Sequence, residues 1–341
     1  MRRRLKLGAA AVGLAAVHGA ILFAGFLAPY DYASQNREAA FAPPTRIRFV
    51  DTKARFHIRP FVYGLKPQKD GAYAADETSA YPLEFFVEGS GYRVAGIIPL
   101  RTHLFAVRAP GRVFLMGTDA YGRDQFSRFL YGGQLSLLAG LLAAGIAVLL
   151  GLTIGALAGF YGGWLDELLM GGAAVFLALP WLYLLLAARA AMPLHIAGWQ
   201  VFLLLVSMMG LIGWARPARL VRGVVLSAKE RNFVLAARAF GASDAYLLTR
   251  HVLPQTSGVI LTQLALLIPQ YVLAEVTLSF LGLGVSEPMA SWGSLLSSLQ
   301  QYYVLSSYWW MFLPALLLIA VFLLYYVSAD ALQERVGSVR L

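Results

Sequence analysis

No cysteine occurs among the 341 residues, which excludes a disulfide framework, a thiolate metal site and a palmitoyl anchor. Charge is scarce as well. Asp, Glu, Lys and Arg make up 13% of the chain against 59% hydrophobic residues, a balance far from soluble averages that reads as a polytopic membrane protein rather than a globular enzyme with one anchor. Catalytic signatures are missing too. The phosphate-binding pattern Gly-x-x-x-x-Gly-Lys-Ser/Thr is absent, so no nucleotide site of that type is expected. No His-Glu-x-x-His, no Ser-His-Asp order and no carboxylate cluster suggests catalysis. His18 and His195 have no partner at metal-ligand spacing and read as packed or interfacial residues. Between Glu275 and Ser307 there is no Lys or Arg at all.

What the chain does have is apolar length. A membrane-crossing helix needs roughly 20 mostly apolar residues, and six stretches qualify: Leu7 to Ala28, a span within Phe129 to Leu165, Leu168 to Ala188, Ala197 to Ala215, Gln255 to Ala274, and Tyr308 to Ala329. The first follows Arg2, Arg3 and Arg4 as a signal peptide would. Its 22 residues exceed a cleavable apolar region of about 7 to 15, so an uncleaved anchor is expected.

The net charge of +10 is explained by topology better than by nucleic acid, because 7 of the 28 basic residues lie between Arg216 and Arg250 and four more between Arg2 and Lys6. Basic residues of short loops mark the cytoplasmic side. The N-terminus, the 216–254 loop and the tail after Asp330 are therefore expected inside, and the 275–307 segment outside. The short loop Tyr161 to Glu167 carries only acids, which weigh little in this rule.

Between the first two spans the texture changes. The runs from Arg46, Phe56, Tyr81 and Arg112 are rich in β-branched and aromatic residues with partial alternation, which predicts a small β-rich external domain. Lys66 to Ala80 is polar and reads as a loop. Such a domain can dock a solute-binding protein or a partner subunit, or simply cap the membrane core.

The basic loop carries an elbow. Ser227 to Phe240 reads as a helix that Ser227 and Glu230 can close with a capping box and that Ala236, Ala237 and Ala239 favour. Gly241 ends it, and Ser243 or Asp244 can cap a second helix running to Leu253. The small side chains of Ala236, Ala237 and Gly241 leave room for a partner surface, with Arg231 and Arg238 at its edge. A basic helix attracted to anionic lipid is the alternative.

Before the second span stands GTDAYGRD, Gly117 to Asp124. Gly117 and Gly122 allow tight turns, Thr118 or Asp119 can cap, and Arg123, Asp124 and Arg128 place charges at the outer edge. Ala143, Ala147, Gly151, Gly155 and Gly159 recur every four residues as a smooth ridge for helix packing. Pro180, Pro217, Pro269 and Pro314 can kink spans or mark static bends. Glu275 either faces a wet pathway or is solvated at the interface.

Ala236-Ala237, three residues, Gly241, nine residues and His251-x-Leu253-Pro254 resemble the cytoplasmic coupling loop of ABC importer permeases, with Leu235 where that signature has Glu and His251 where it has Ile. Together with GTDAYGRD, FYGGWLDE at 160–167, LALP at 177–180, LSFLGLG at 278–284, Glu287-Pro288 and Ser291-Trp292-Gly293, this resembles the dipeptide/oligopeptide class, as its second, C-type permease. The resemblance implies a type I ABC importer permease fold: an all-α polytopic protein of six transmembrane helices, with the β-rich domain between helices 1 and 2. The expected domains are 1–28, 29–116 and a permease core at 117–341 with its coupling loop at 216–254.

It further implies a non-catalytic subunit of the cell inner membrane that forms half of a pathway and holds no cofactor of its own. Its partners would be a second permease, two ATPases that hold ATP and Mg, an external solute-binding protein and the lipid membrane, with no nucleic acid. Glu230, Ala236, Ala237, Arg238, Gly241, Ala242, Ser243, Leu253 and Pro254 would serve ATPase coupling. Peptide is the implied solute, with a secondary transporter or a permease for nickel chelates or sugars as alternatives.

Overall fold

The apolar runs form helices of unequal kind. The computed structural model describes residues 2–68, 72–94, 96–193 and 197–338, and His195 lies outside these. Among the described residues three helical stretches are long and apolar enough to cross a bilayer: α3 (Gln125–Tyr161), Asp244–Phe280 and Trp309–Leu332. Two further pairs are bent. Helices α4 (Gly163–Ala178) and α5 (Trp181–Ala190) meet at 83°, and α6 (Gly198–Gly213) and α7 (Ala215–Lys229) at 40°. Counting each bent pair as one span gives up to five, and α1 (Arg2–Leu22) adds the shorter apolar helix Gly8–Leu22.

The bends have identifiable causes. Leu179 precedes Pro180, a position driven towards extended backbone, and it has φ −85° and ψ 138°. The third expected span is thus broken at Pro180, one of the prolines expected to bend a span. At the second bend Pro217 cannot donate to the carbonyl four residues back, that of Gly213, and the helix axis changes there. The first expected span is also interrupted: α1 stops at Leu22 and a short α2 (Ala24–Leu27) follows.

The chain divides into two compact units. One comprises Met1–Ala11, Leu137–Leu278 and Leu323–Leu341, the other Val12–Ser136 and Ser279–Phe322. In the first unit the small-residue ridge of α3 lies against α7. A methyl group on Gly151 would meet Pro217, one on Gly155 would meet the Ala218 carbonyl, and one on Gly159 would come within 2.9 Å of the Arg222 carbonyl. Ala143 and Ala147 on the same ridge are fully buried. Where surrounding lipid is as apolar as the side chains, such close backbone approach is what holds helices together.

The second unit contains the sheet, four antiparallel strands in the order β1 (Arg48–Val50), β2 (Phe56–Pro67), β3 (Tyr73–Val94) and β4 (Ile98–Val107). Val62, Leu83, Val107 and Val113 form its core. Two expectations are corrected here. Of Lys66 to Ala80, the described residues Lys66, Pro67 and 73–80 lie in the paired strands β2 and β3, with Leu65 paired to Ala75 and Pro67 to Tyr73. The polarity of this stretch misled because the stabilising contacts are themselves polar, Lys66 pairing with Asp76 at 2.9 Å and the Tyr73 hydroxyl donating to the Ala40 carbonyl at 2.8 Å.

Arg112 to Met116, conversely, is not a strand. Its backbone is satisfied elsewhere: the Val113 N–H donates to the Tyr30 hydroxyl and the Phe114 N–H to the Thr45 hydroxyl, each at 2.9 Å. Strand β4, which sequence reading missed, takes the place beside β3.

Substituting Gly155→Leu should force α3 and α7 apart and destabilise the protein by on the order of 1–3 kcal/mol. Gly145→Ala on the same helix, where an added methyl meets nothing within 4 Å, should leave the thermal midpoint of the detergent-purified protein unchanged.

Candidate functional site

The elbow is built on the end of the α3–α7 pair. At the last turn of α7 the Lys229 ammonium donates to the Gly159 carbonyl at 2.9 Å, a cation on the otherwise unpaired carbonyl end of α3. Arg222 grips the Asp166 carboxylate of α4 with two bonds of 2.5 Å, the forked geometry that fixes orientation as well as distance.

Helix α7 ends at Lys229 with Glu230 as its C-cap, and α8 (Asn232–Ala239) starts afresh after Arg231, whose ψ is 141°. The single helix expected from Ser227 to Phe240 is therefore two. Ser227 lies within α7, and Glu230, exposed, closes no capping box. Val225 and Ala228 are buried among Phe160, Val234, Leu247 and Val252, so α7 keeps its helical register onto that core and the chain turns only beyond it.

Helix α8 ends in a full Schellman motif. The Ala242 N–H reaches the Ala237 carbonyl at 3.1 Å and the Gly241 N–H reaches that of Arg238 at 2.9 Å. Gly241 has φ +87°, the left-handed region that glycine enters without steric cost. Ser243 then caps α9 (Asp244–Tyr246), accepting from the Tyr246 N–H at 3.4 Å.

The second helix of the elbow does not stop at Leu253. Through a π turn at Leu247–Val252 and a 3-10 turn at Leu253–Thr256 that takes up Pro254, it continues into α10 (Ser257–Phe280). Proline lacks the N–H that an α-turn would need, and the wider and tighter turns around it absorb the mismatch.

Ala237, Ala242, Leu248 and Leu253 pack half-buried against the core, whereas Ala236 and Gly241 remain exposed. The outer surface is apolar and basic. Phe240 is 92% exposed, and Phe233, Leu235 and Tyr246 are also exposed. Arg231 and Arg250 stand free to solvent, and Arg238 lies 3.8 Å from Asp244. Leu235, in the position of the acidic residue of the signature, thus adds to the apolar surface. Near the two helix bends of the same unit is a cavity of about 190 Å³ bordered by Phe176, Trp181, Gly213, Arg216 and Tyr271. Glu275 on α10 is 1% exposed.

The other unit gathers the Gly117 to Asp124 motif into a charged knot. Gly117 and Gly122 take φ of +71° and +69°, and a side chain on Gly122 would run into the Asn36 carbonyl. The Thr118 hydroxyl donates to the Ala39 carbonyl and accepts from the Ala42 N–H at 2.7 Å. Asp119 accepts from the Arg123 side chain at 2.7 Å, and Glu287 bridges Arg123 at 2.6 Å and Arg128 at 2.9 Å.

Arg128 is 2% exposed, so these carboxylates compensate a charge removed from water. Glu287 stands 159 positions from Arg128. Only the resemblance pointed to it, and nothing in its spacing could have joined the two. The cap of α3 is Asp124 rather than Thr118 or Asp119: its carboxylate accepts from the Ser127 N–H at 2.8 Å and the Ser127 hydroxyl at 2.6 Å.

Residues 151–338 match the family described as binding-protein-dependent transport system inner membrane component. The chain belongs to this family. It is 37% identical over 194 residues to the oligopeptide transport system permease protein OppC of Bacillus subtilis, covering 57% of this chain and 62% of that one. It is 40% identical over 177 residues to the dipeptide transport system permease protein DppC of the same organism, covering 52% and 53%. A third relative is the glutathione transport system permease protein GsiD of Pectobacterium atrosepticum, 36% identical over 188 residues, covering 55% and 60%. The matches thus span between half and two thirds of these relatives' length. The resemblance carried by the motifs is met as family membership, and the apolar helices make the chain a multi-pass membrane protein.

Burial raises the Asp124 carboxyl from 3.8 to about 6, partly offset by its bonds from Ser127. Between those two values the folded protein holds a proton that the unfolded chain has released. Folded stability from this group is therefore complete below about pH 4 and lost as pH rises through 6. Thermal midpoints of wild type and Asp124→Asn across this range should diverge, the wild type falling relative to the variant as pH rises. A constant difference would contradict the assignment.

Proposed function

We propose that the chain is one of the two permease subunits of an ATP-driven ABC importer with the type I permease fold, set in the cell inner membrane with both termini in the cytoplasm. By analogy with the relatives, its solute is a peptide or a similarly sized peptide-like compound. The chain itself hydrolyses nothing. ATP and Mg are held by two partner ATPases, a second permease completes the pathway, and an external binding protein delivers the solute.

The observation that carries this reading is the elbow: a glycine-closed helix-turn-helix with an exposed apolar and basic outer surface, fixed from behind by a buried core. Glu230, Ala236, Arg238, Gly241 and Ser243 lie on or beside that outer surface, while Ala237, Ala242 and Leu253 hold it to the core. Phe240 stands at the apex of the elbow, whose inner face is buried, so a force applied there is proposed to reach that core. From there it would pass through Val234, Leu247 and Val252 to α7, and through the π and 3-10 turns into α10. The bends at Pro180 and Trp214 and the cavity beside them are where such a force can rearrange helices and change access.

The β-rich domain is assigned to the external side, and Gly117 to Asp124 with Glu287 fix the chain entering α3. A pathway role for Glu275 on α10 is proposed from the cost of an ionisable group in a membrane helix. An ionisable group kept there is costly unless it has a functional or pairing role.

Reconstituted with its partners in vesicles, the complex should take up labelled oligopeptide only with ATP and binding protein. Transport by this chain alone, without ATP, would favour a secondary transporter. Gly241→Val places a β-branched side chain at φ +87°, strained by roughly 1–2 kcal/mol or more. The variant should insert and assemble normally, keep basal ATP hydrolysis, and lose most ATP-dependent uptake. Undiminished uptake by a properly inserted variant would count against coupling through the elbow.

A further inference from the structure

The β3–β4 hairpin ends in an apolar tip with no counterpart to cover it. Ile97 and Ile98 are 78% and 56% exposed, and Leu100 is 43% exposed. The direction of this hairpin is fixed by two contacts to α2. Near the outer end the His103 ring nitrogen Nδ1 pairs with the Ala28 carbonyl at 2.7 Å. Further along the hairpin the Tyr92 ring lies directly on Gly25, where any side chain would collide with it.

From Ala28 to Gly25 the helix runs back towards α1, about 4.5 Å at 1.5 Å per residue. The hairpin runs the same way, from the Val87–His103 pair to the Tyr92–Leu100 pair and on to Val94–Ile98. The last step carries the tip about 7 Å beyond Gly25, towards the level of the final turn of α1. The hairpin therefore advances towards the α1 side of α2 rather than away from it.

We propose that the tip Gly96–Leu100 is embedded in the phospholipid leaflet that surrounds the outer end of α1. This rests on the reading that α1 lies in the bilayer, but not on which side its N-terminus faces. Three further observations fit lipid rather than protein or water. Exposed aromatics stand on α2 and at the base of the hairpin, outward of the tip: Phe23 is 48% and Phe86 67% exposed, and the Phe86 ring lies 6.2 Å from that of Phe26. Rings at this depth match the aromatic belt of membrane interfaces.

The charge is also of one sign. Arg93 and Arg101, both exposed, flank the tip, and no acid occurs from Gly89 to Thr102. Their stems can lie along apolar surface while the guanidinium groups reach lipid phosphate. Finally, the hairpin is held rigidly where it leaves α2, since Tyr92 is buried and its hydroxyl donates to the Thr102 carbonyl at 2.6 Å. The tip is thus a second, non-helical anchor that fixes the sheet's height over the membrane.

Because the chain has no cysteine, single-cysteine variants give clean labels. Ile97→Cys is compared with Glu77→Cys, on the exposed part of β3, and with Val12→Cys, on α1. Each is spin-labelled in the full transporter, purified with its partners and reconstituted in phospholipid vesicles. At position 97 relaxation by oxygen should exceed relaxation by a water-soluble nickel chelate several-fold, as at position 12, with the reverse at position 77. Chelate access at 97 equal to that at 77, with position 12 in lipid, would overturn the proposal alone. Protection at 97 from both reagents would overturn it in favour of a protein partner. Chelate access at both 97 and 12 would overturn it together with the membrane placement of α1.

Discussion

The close approach of α3 and α7 is the constraint on which the first unit depends. Lipid gives two apolar helices no hydrophobic reason to associate, so packing, hydrogen bonds and ion pairs must hold them. Gly151, Gly155 and Gly159 remove the side chains that would separate the backbones. At the end of that groove Lys229 and the Arg222–Asp166 pair add polar contacts that fix the orientation of α7. The same pair of helices then provides Phe160, Val221 and Val225 as the floor on which the elbow rests.

The closed turn of the elbow and the helix breaks beyond it are built by different residues. Gly241 and Ser243 close the turn with local hydrogen bonds, and Val234, Leu247 and Val252 bury its inner face. The breaks at Leu179–Pro180 and at Trp214 lie elsewhere, within otherwise apolar stretches. Under the proposed function, a push on the elbow is converted at these breaks into a change of helix orientation. The charged knot of Asp119, Arg123, Arg128 and Glu287 has the complementary task in the other unit, pinning the loop around Glu287 to the start of α3.

Much of this was legible in sequence where the signal is local. The apolar runs located the helices, the four-residue spacing of small residues located the ridge, and Gly241 with Ser243 located the turn of the elbow. What failed was of two kinds. Boundaries set by tertiary packing were misplaced: α7 runs through Ser227 because Val225 and Ala228 are buried, and the α9–α10 helix passes Pro254 because π and 3-10 turns accommodate it. Polar partnerships across the chain were invisible, as with Lys66–Asp76, which made paired strands look like a loop, and Arg128–Glu287.

The central claim is that the exposed elbow meets an ATPase. A photo-crosslinking amino acid in place of Phe240, 92% exposed at the apex of the turn, tests it in native membranes. The account predicts a single dominant adduct whose second component is an ATP-binding subunit. Adducts with lipid alone, or none, from a complex shown to be intact would contradict it.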